Sequence, residues 1–226
     1  MTLMNRIDAL IAERRLLDHP FYTTWIKGEL TREALERYAE QYYHWVAAFP
    51  TLLSSIHGNT SDLATRQVIL ENLIDEERGP ENHPELWLRF CDALGLDREA
   101  VLRRELLPET REVIATYRRL CREALPVAAL AAVYAYESQQ PEVMATKRAG
   151  LTTHYGVTSG HDYFVQHETI DVEHSAAERR LILANAADDD AETICETVRV
   201  GLDATYTLLD GVYHRYVQPP AETGTP

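Results

Sequence analysis

Apolar residues recur at three- and four-residue intervals in nearly every segment of this chain, so it must bury its hydrophobic side chains as helices and not as strands. Leu3, Ile7, Leu10, Ile11 and Leu17 form one such stripe on a first helix over residues 2–17, which His19-Pro20 breaks. Thr31 reads as the N-cap of a second helix carrying Leu35, Tyr38, Tyr42 and Trp45, with Pro50 expected to kink or restart it. Asp62 reads as the cap of a third, running through Val68, Ile69 and Leu73 to Asp75-Glu76-Glu77, where Gly79-Pro80 interrupts. Further helices are expected over 84–94, 109–124, 126–138 and 141–149, with Pro126 and Pro141 in first turns, where proline is tolerated. Residues 151–159 read as a loop, 161–187 as one long helix and 190–216 as the last. The expected organisation is one all-α domain over residues 1–216, with residues 217–226, rich in proline, glycine and threonine, as a disordered tail.

Charge narrows the function classes. Lys plus Arg total 22 against 36 for Asp plus Glu, a formal charge of −14. Such a surface repels phosphate backbones and anionic lipids, which argues against nucleic acid and membrane partners. No apolar stretch approaches the ~20 residues needed to span a bilayer. Asn5, Arg6 and Asp8 interrupt any signal-peptide core. Cys91, Cys121 and Cys195 are odd in number and form no CxxC pair, so neither a disulfide framework nor a zinc ribbon is indicated. A reducing cytoplasm is the expected location.

The sharpest local pattern is His167-x3-Asp171-x2-His174 inside the expected long helix. Positions i, i+4 and i+7 fall within roughly 60° of one another around a helix, so all three side chains project from one face. Two imidazoles and a carboxylate mix nitrogen and hard oxygen donors, which suits iron or manganese better than structural zinc. The two histidines are about 10 Å apart along the axis, too far to share one ion. That spacing fits flanking two ions ~3.5–4 Å apart, with Asp171 between. The competing reading is an exposed acidic face, since Glu168 and Glu173 are neighbours.

Two further features favour metal. Glu137 closes the apolar run Leu130–Tyr136, where a carboxylate is costly to bury without a compensating ion or donor. Glu76 and His83 repeat the seven-residue interval, although Glu77, Glu81 and Glu85 are rival carboxylates that spacing does not reject. Helix bundles build di-metal sites from such inward-facing carboxylates and histidines. Three carboxylates leave two divalent ions about one positive charge, a balance that suits oxygen activation better than storage. His19, His44, His57, His154, His161 and His214 lack ligand-like neighbours and read as structural.

The ordered set Glu76, His83, Glu137, His167, Asp171 and His174 resembles that of the CADD-like group of heme-oxygenase-like di-metal oxidases, relatives of TenA and PqqC. The resemblance extends from His19-Pro-Phe-Tyr22 to the last helix and includes Lys27-Gly-Glu-Leu-Thr31, Asp75-Glu-Glu77 and Tyr136-Glu-Ser138. It implies a heme-oxygenase-like (TenA/PqqC-like) helical bundle, a cofactor of two metal ions (Fe/Fe or Mn/Fe), molecular oxygen and a reductant as partners, and a homodimer. It also implies an oxygenase that makes para-aminobenzoate for folate biosynthesis from one of its own tyrosines. On that model Tyr22 gives up the ring, Lys147 donates the amino group, and Tyr38, Tyr136 and Tyr163 relay radicals or shape the pocket.

The residues allow this reading and allow others. Tyr136 precedes Glu137 and Tyr163 lies one turn before His167, so both can approach the metals. A buried Lys147 would have a lowered pKa and become nucleophilic, whereas a lysine beside Arg148 could equally lie on the surface. Tyr42, Tyr43, Tyr117 and Tyr206 read as packing residues. Alternative functions are a di-metal oxidase for an external small molecule, a TenA-like thiamin-salvage hydrolase, and a non-catalytic interaction module. The hydrolase needs a pocket cysteine, and none of the three cysteines adjoins the ligand-bearing segments.

Overall fold

The structure is a computed structural model that describes residues 1–218. Among these residues every regular element is helical: α1 (Leu3–Glu13), α2 (Pro20–Lys27), α3 (Arg32–Asn59), α4 (Leu63–Glu77), α5 (His83–Ala93), α6 (Arg98–Leu102), α7 (Pro108–Glu123), α8 (Pro126–Glu137), α9 (Gln140–His154), α10 (Asp162–His167), α11 (Ile170–Asn185) and α12 (Ala191–Val212). The expected all-α class is what forms. None of these helices is long and apolar enough to cross a membrane.

Helix α8 lies at the centre. Its residues from Ala128 to Glu137 are all buried, which explains why it lacks an amphipathic pattern and is rich in alanine. The long helices α12 and α11 pack against it, α12 also packs on α7, and α3 bridges α4, α5 and α7. Helices α9 and α2 approach closely because position 150 is glycine: a Cβ there would lie 2.5 Å from Trp25 Nε1. The Trp25 indole donates instead to the Lys147 carbonyl at 3.3 Å, and this fixes α9 to the core.

Local chemistry accounts for the helix starts. The Thr31 hydroxyl accepts from Ala34 N at 3.1 Å, and the Asp62 carboxylate accepts from Thr65 N at 2.7 Å. Proline occupies the first turns of α2, α5, α7, α8 and α9.

Several expected boundaries need correction. Helix α1 stops at Glu13, and a short 3-10 turn, Leu16–Asp18, follows it. His19-Pro20 does not merely break a helix; His19 caps a new one, its ring accepting from Phe21 N at 3.0 Å. The short α6 was not expected. Pro50 neither ends nor restarts α3, since the helix runs on to Asn59 with one ladder donor missing. Residues 151–154, expected in a loop, extend α9.

The expected 161–187 helix is two helices, α10 and α11, separated at Glu168-Thr169. The Thr169 hydroxyl donates to the Gln166 carbonyl at 3.0 Å, a local bond that competes with the helical ladder. Arg148 of α9 holds the corner through Glu168, with contacts of 2.5 and 2.8 Å. At the end of the chain, Tyr213–Val217 forms a π-helical turn after α12. Val217 of the expected tail therefore belongs to that turn, and residues 219–226 lie outside the described residues.

Candidate metal centre and tyrosine pocket

Five helix ends converge on one buried spot. Glu76 sits near the C-terminus of α4 and His83 opens α5, so the turn at Gly79–Glu81 folds the seven-residue interval back on itself. Glu137 ends α8, His167 ends α10, and Asp171 and His174 lie in the first turns of α11. Their donor atoms form two groups, Glu76/His83/His167 and Glu137/Asp171/His174, each with all its atoms within 4.8 Å of one another. All six side chains are buried. Of the rival carboxylates, Glu77 and Glu81 are exposed, and Glu85 pairs with Arg98 at 2.9 Å.

Whether these residues suit metal can be judged from their unmet valences. His83 Nδ1 lies 2.7 Å from Glu76 Oε2, and the other nitrogen of that ring, Nε2, is buried without a partner. His174 Nδ1 and Asp171 Oδ2 are also buried without a partner. Buried polar groups are normally satisfied, so a cluster of orphaned atoms needs another occupant. Two of the three imidazoles, by contrast, are anchored through one nitrogen. His167 Nδ1–H donates to the Tyr163 carbonyl at 2.7 Å, and His174 Nε2–H donates to Asp75 Oδ2 at 3.1 Å. Each anchor leaves the other nitrogen as a lone-pair donor for the pocket, as outer partners do in metal sites.

Electrostatics agrees. Burial, only partly countered by His174, pushes the Asp171 carboxyl up to about 7. Burial also raises Glu137, with Glu76 adding to the effect. Burial alone would lower His174, but Asp171, Glu137 and Asp75 outweigh it and raise the group to about 9. Burial and the neighbouring His83 push His167 well down, so that imidazole is neutral and able to bind a cation. Without ions the pocket takes up protons to cover its negative charge. Two divalent cations would supply the missing positive charge.

Three neighbours of this set went unnoticed in the sequence. Glu178 is buried on α11 with no donor to either oxygen, and its carboxyl faces that of Glu137. Its signal was available, because Glu178 continues the Asp171/His174 stripe at i+4 from His174. Asn72 donates to both Glu137 oxygens at 3.3 Å, and Asp75 orients His174. No spacing rule distinguishes these two from other polar residues of α4.

An aromatic box adjoins the ligands. The Tyr163 ring lies 4.0 Å from that of His167 and 4.9 Å from Trp87, measured between centroids. Trp87 stacks on Tyr42 at 4.6 Å, and Tyr42 on Tyr38 at 5.1 Å. The Tyr22 and Tyr38 hydroxyls are 3.3 Å apart. Tyr136 meets the Tyr42 hydroxyl at 2.5 Å and accepts from Trp45 Nε1 at 2.8 Å. Tyr42, expected only to pack, is therefore at the centre of this box. Tyr117 and Tyr206 do pack, their hydroxyls donating to the carbonyls of Ala132 and Arg15.

Lys147 ends inside the box, not on the surface. It is 0% exposed, and its Nζ lies 4.4 Å from the Tyr42 ring centroid, 5.3 Å from Tyr38 and 5.4 Å from Tyr22. Among the described residues its one hydrogen-bond contact is with Met144 Sδ at 3.9 Å. Burial pushes the amine well below the usual lysine range. Cavities of about 10 Å³ flank Tyr136, one bounded by Glu76, Glu137, His167 and Asp171 and the other by Tyr22 and Tyr42, each with room for roughly one water-sized species. No cysteine lines either cavity.

Comparison with known proteins agrees with this geometry. The family described as "Iron-containing redox enzyme" matches residues 36–206. The 4-aminobenzoate synthase of Nitrosomonas europaea is 42% identical to the chain over 228 residues, covering 95% of this chain and 92% of that protein. A crystal structure of a domain of unknown function with a heme oxygenase-like fold from Shewanella denitrificans superposes with a TM-score of 0.80 at 19% identity, covering 95% of this chain and 91% of that one. A CADD-like protein of unknown function from Nostoc punctiforme superposes with a TM-score of 0.79 at 15% identity, covering 95% and 97%. The chain thus has the heme-oxygenase-like fold and belongs to the iron-containing redox enzyme family.

Proposed function

We propose that this chain is a metal-dependent, oxygen-consuming 4-aminobenzoate synthase that draws the ring of its product from Tyr22 and the nitrogen from Lys147. The observation that carries this reading is the position of Lys147: an amine with no carboxylate partner, enclosed by the faces of Tyr22, Tyr38, Tyr42 and Trp87 beside a double ligand group. The name of the Nitrosomonas europaea relative supports the product.

When bound at the two ligand groups, a pair of redox metals such as Fe/Fe or Mn/Fe supplies the chemistry that activates molecular oxygen with electrons from a reductant. The remaining work falls to the chain's own side chains. Burial keeps the Lys147 amine neutral, and a neutral amine has the lone pair that an attack on an oxidised ring requires. Tyr38 fixes the Tyr22 hydroxyl through the contact at 3.3 Å, and the box of rings excludes water. Tyr163, Trp87, Tyr42 and Tyr38 form an unbroken series of ring contacts from His167 to Tyr22, a route for moving an electron hole outward. The cavities beside Tyr136 each have room for roughly one water-sized species and not for an amino acid or an acyl chain, which favours an internal substrate.

The test is intact-mass analysis before and after exposure of reduced, iron-loaded protein to air, with the small-molecule fraction assayed for 4-aminobenzoate. Protein labelled with ¹⁵N at the lysine side chain should yield ¹⁵N product, with the mass loss localised at Tyr22. Undiminished product from Tyr22→Phe would reject that residue as the ring source.

A further inference from the structure

The donor set described so far leaves one buried carboxylate without a role. Glu178 is 3% exposed, and neither oxygen has a hydrogen-bond donor. Glu137 beside it accepts from Asn72, whereas Glu178 faces the Glu137 carboxyl. Two buried carboxyls face to face must share a proton or hold a cation between them.

Glu178 also lies on the wall of a cleft. A depression of about 290 Å³ runs between α4, α8 and α11, and the buried Asn72, His174 and Glu178 lie among its lining. Glu71 and Glu173 are exposed at its mouth and Asp75 is half-buried, while Arg180 is the one arginine or lysine among the described residues that line it. Four acids against one arginine make a negative funnel, which concentrates cations at its inner end. At that end His174 of the Glu137/Asp171/His174 group lies beside Glu178, while Glu137 and Asp171 face the small cavity next to Tyr136. The Glu76/His83/His167 group contributes nothing to the cleft lining.

We propose that Glu178 is a seventh metal-binding side chain, serving the Glu137/Asp171/His174 position, and that this position alone exchanges its cation with solvent through the acidic cleft between α4, α8 and α11. The proposal rests on the metal-pair reading above. It makes the two positions unequal: one has no ligand on the cleft, and the other reaches it through His174 and Glu178. Glu178 receives the incoming cation and replaces its departing waters.

The test uses Mn(II) and the metal-free full chain, with bound metal counted by equilibrium dialysis and uptake followed by stopped flow. Wild-type protein is expected to bind two ions per chain. Glu178→Gln keeps the shape and can hydrogen-bond Glu137, so it should fold; it should bind the first ion as wild type does and the second at least tenfold more weakly. The double variant Glu71→Gln/Glu173→Gln changes exposed residues only; it should retain two ions and slow uptake of the second several-fold at low salt. Wild-type affinity at both positions in Glu178→Gln overturns the proposal, and so does unchanged second-ion uptake in the double variant. If wild-type protein takes up a single ion, the metal-pair reading fails first and this inference with it.

Discussion

Replacing Lys147 with methionine separates a neutral buried amine from a charged one, because the two differ in how stability follows pH. The unfolded chain carries a proton on this lysine up to about pH 10.4, whereas the folded chain, with burial holding the pKa well down, does not. A depressed folded pKa favours the native state above the unfolded pKa and penalises it progressively as pH falls. Each unit below that point costs the wild-type fold roughly 1.4 kcal/mol. The cost is therefore larger at pH 7 than at pH 9. Lys147→Met escapes the cost and has similar length, with Met144 already in contact. Urea unfolding of metal-free wild type and variant under nitrogen at pH 7, 8 and 9 reads the difference. The variant should be more stable at pH 7, and its advantage should shrink as pH rises to 9, by up to about 1.4 kcal/mol per unit. A stability difference that stays level over this range would show that the folded protein holds the ammonium form, and the nucleophile assignment would fail.

Two further outcomes follow from the same geometry. Gly150→Ala would place a methyl group 2.5 Å from the immobile Trp25 indole, so it should destabilise the fold by about 1–3 kcal/mol, seen as a lower denaturation midpoint with altered Trp25 fluorescence. Asp75→Ala frees the ring of His174 to turn, so metal titration should show affinity at the Glu137/Asp171/His174 position reduced roughly 10–100-fold with affinity at the other position unchanged.

The sequence made the ligands legible because their chemistry conflicts with their surroundings. Glu137 closes an apolar run that had to be central, and a carboxylate there has to be compensated. The aromatic box was harder to read. Tyr42 has the spacing of an ordinary core residue on α3, and only its meeting with Tyr136 and Lys147, distant in sequence, gives it a place beside the site. Lys147 gave no local hint either, since Arg148 next to it turns outward to Glu168 while Lys147 turns inward. The resemblance to the CADD-like group, not the periodicity, singled it out. Asp75 and Asn72 stayed hidden because second partners are selected by three-dimensional approach and have no fixed interval.

The break between α10 and α11 shows why an imperfect secondary-structure reading could still find the right residues. On one straight helix, His167 and His174 would stand about 10 Å apart along the axis and share a face. The corner at Glu168-Thr169 replaces that geometry with a better one for two ions. His167 stays at the end of α10 with Glu76 and His83, while Asp171 and His174 begin a new helix that faces Glu137. The corner is held from outside by Arg148, the residue after Lys147. Helix α9 therefore sends one side chain in to the tyrosines and the next one out to the hinge of the ligand helices. The position of the amine and the separation of the two ligand groups are set by the same turn of α9.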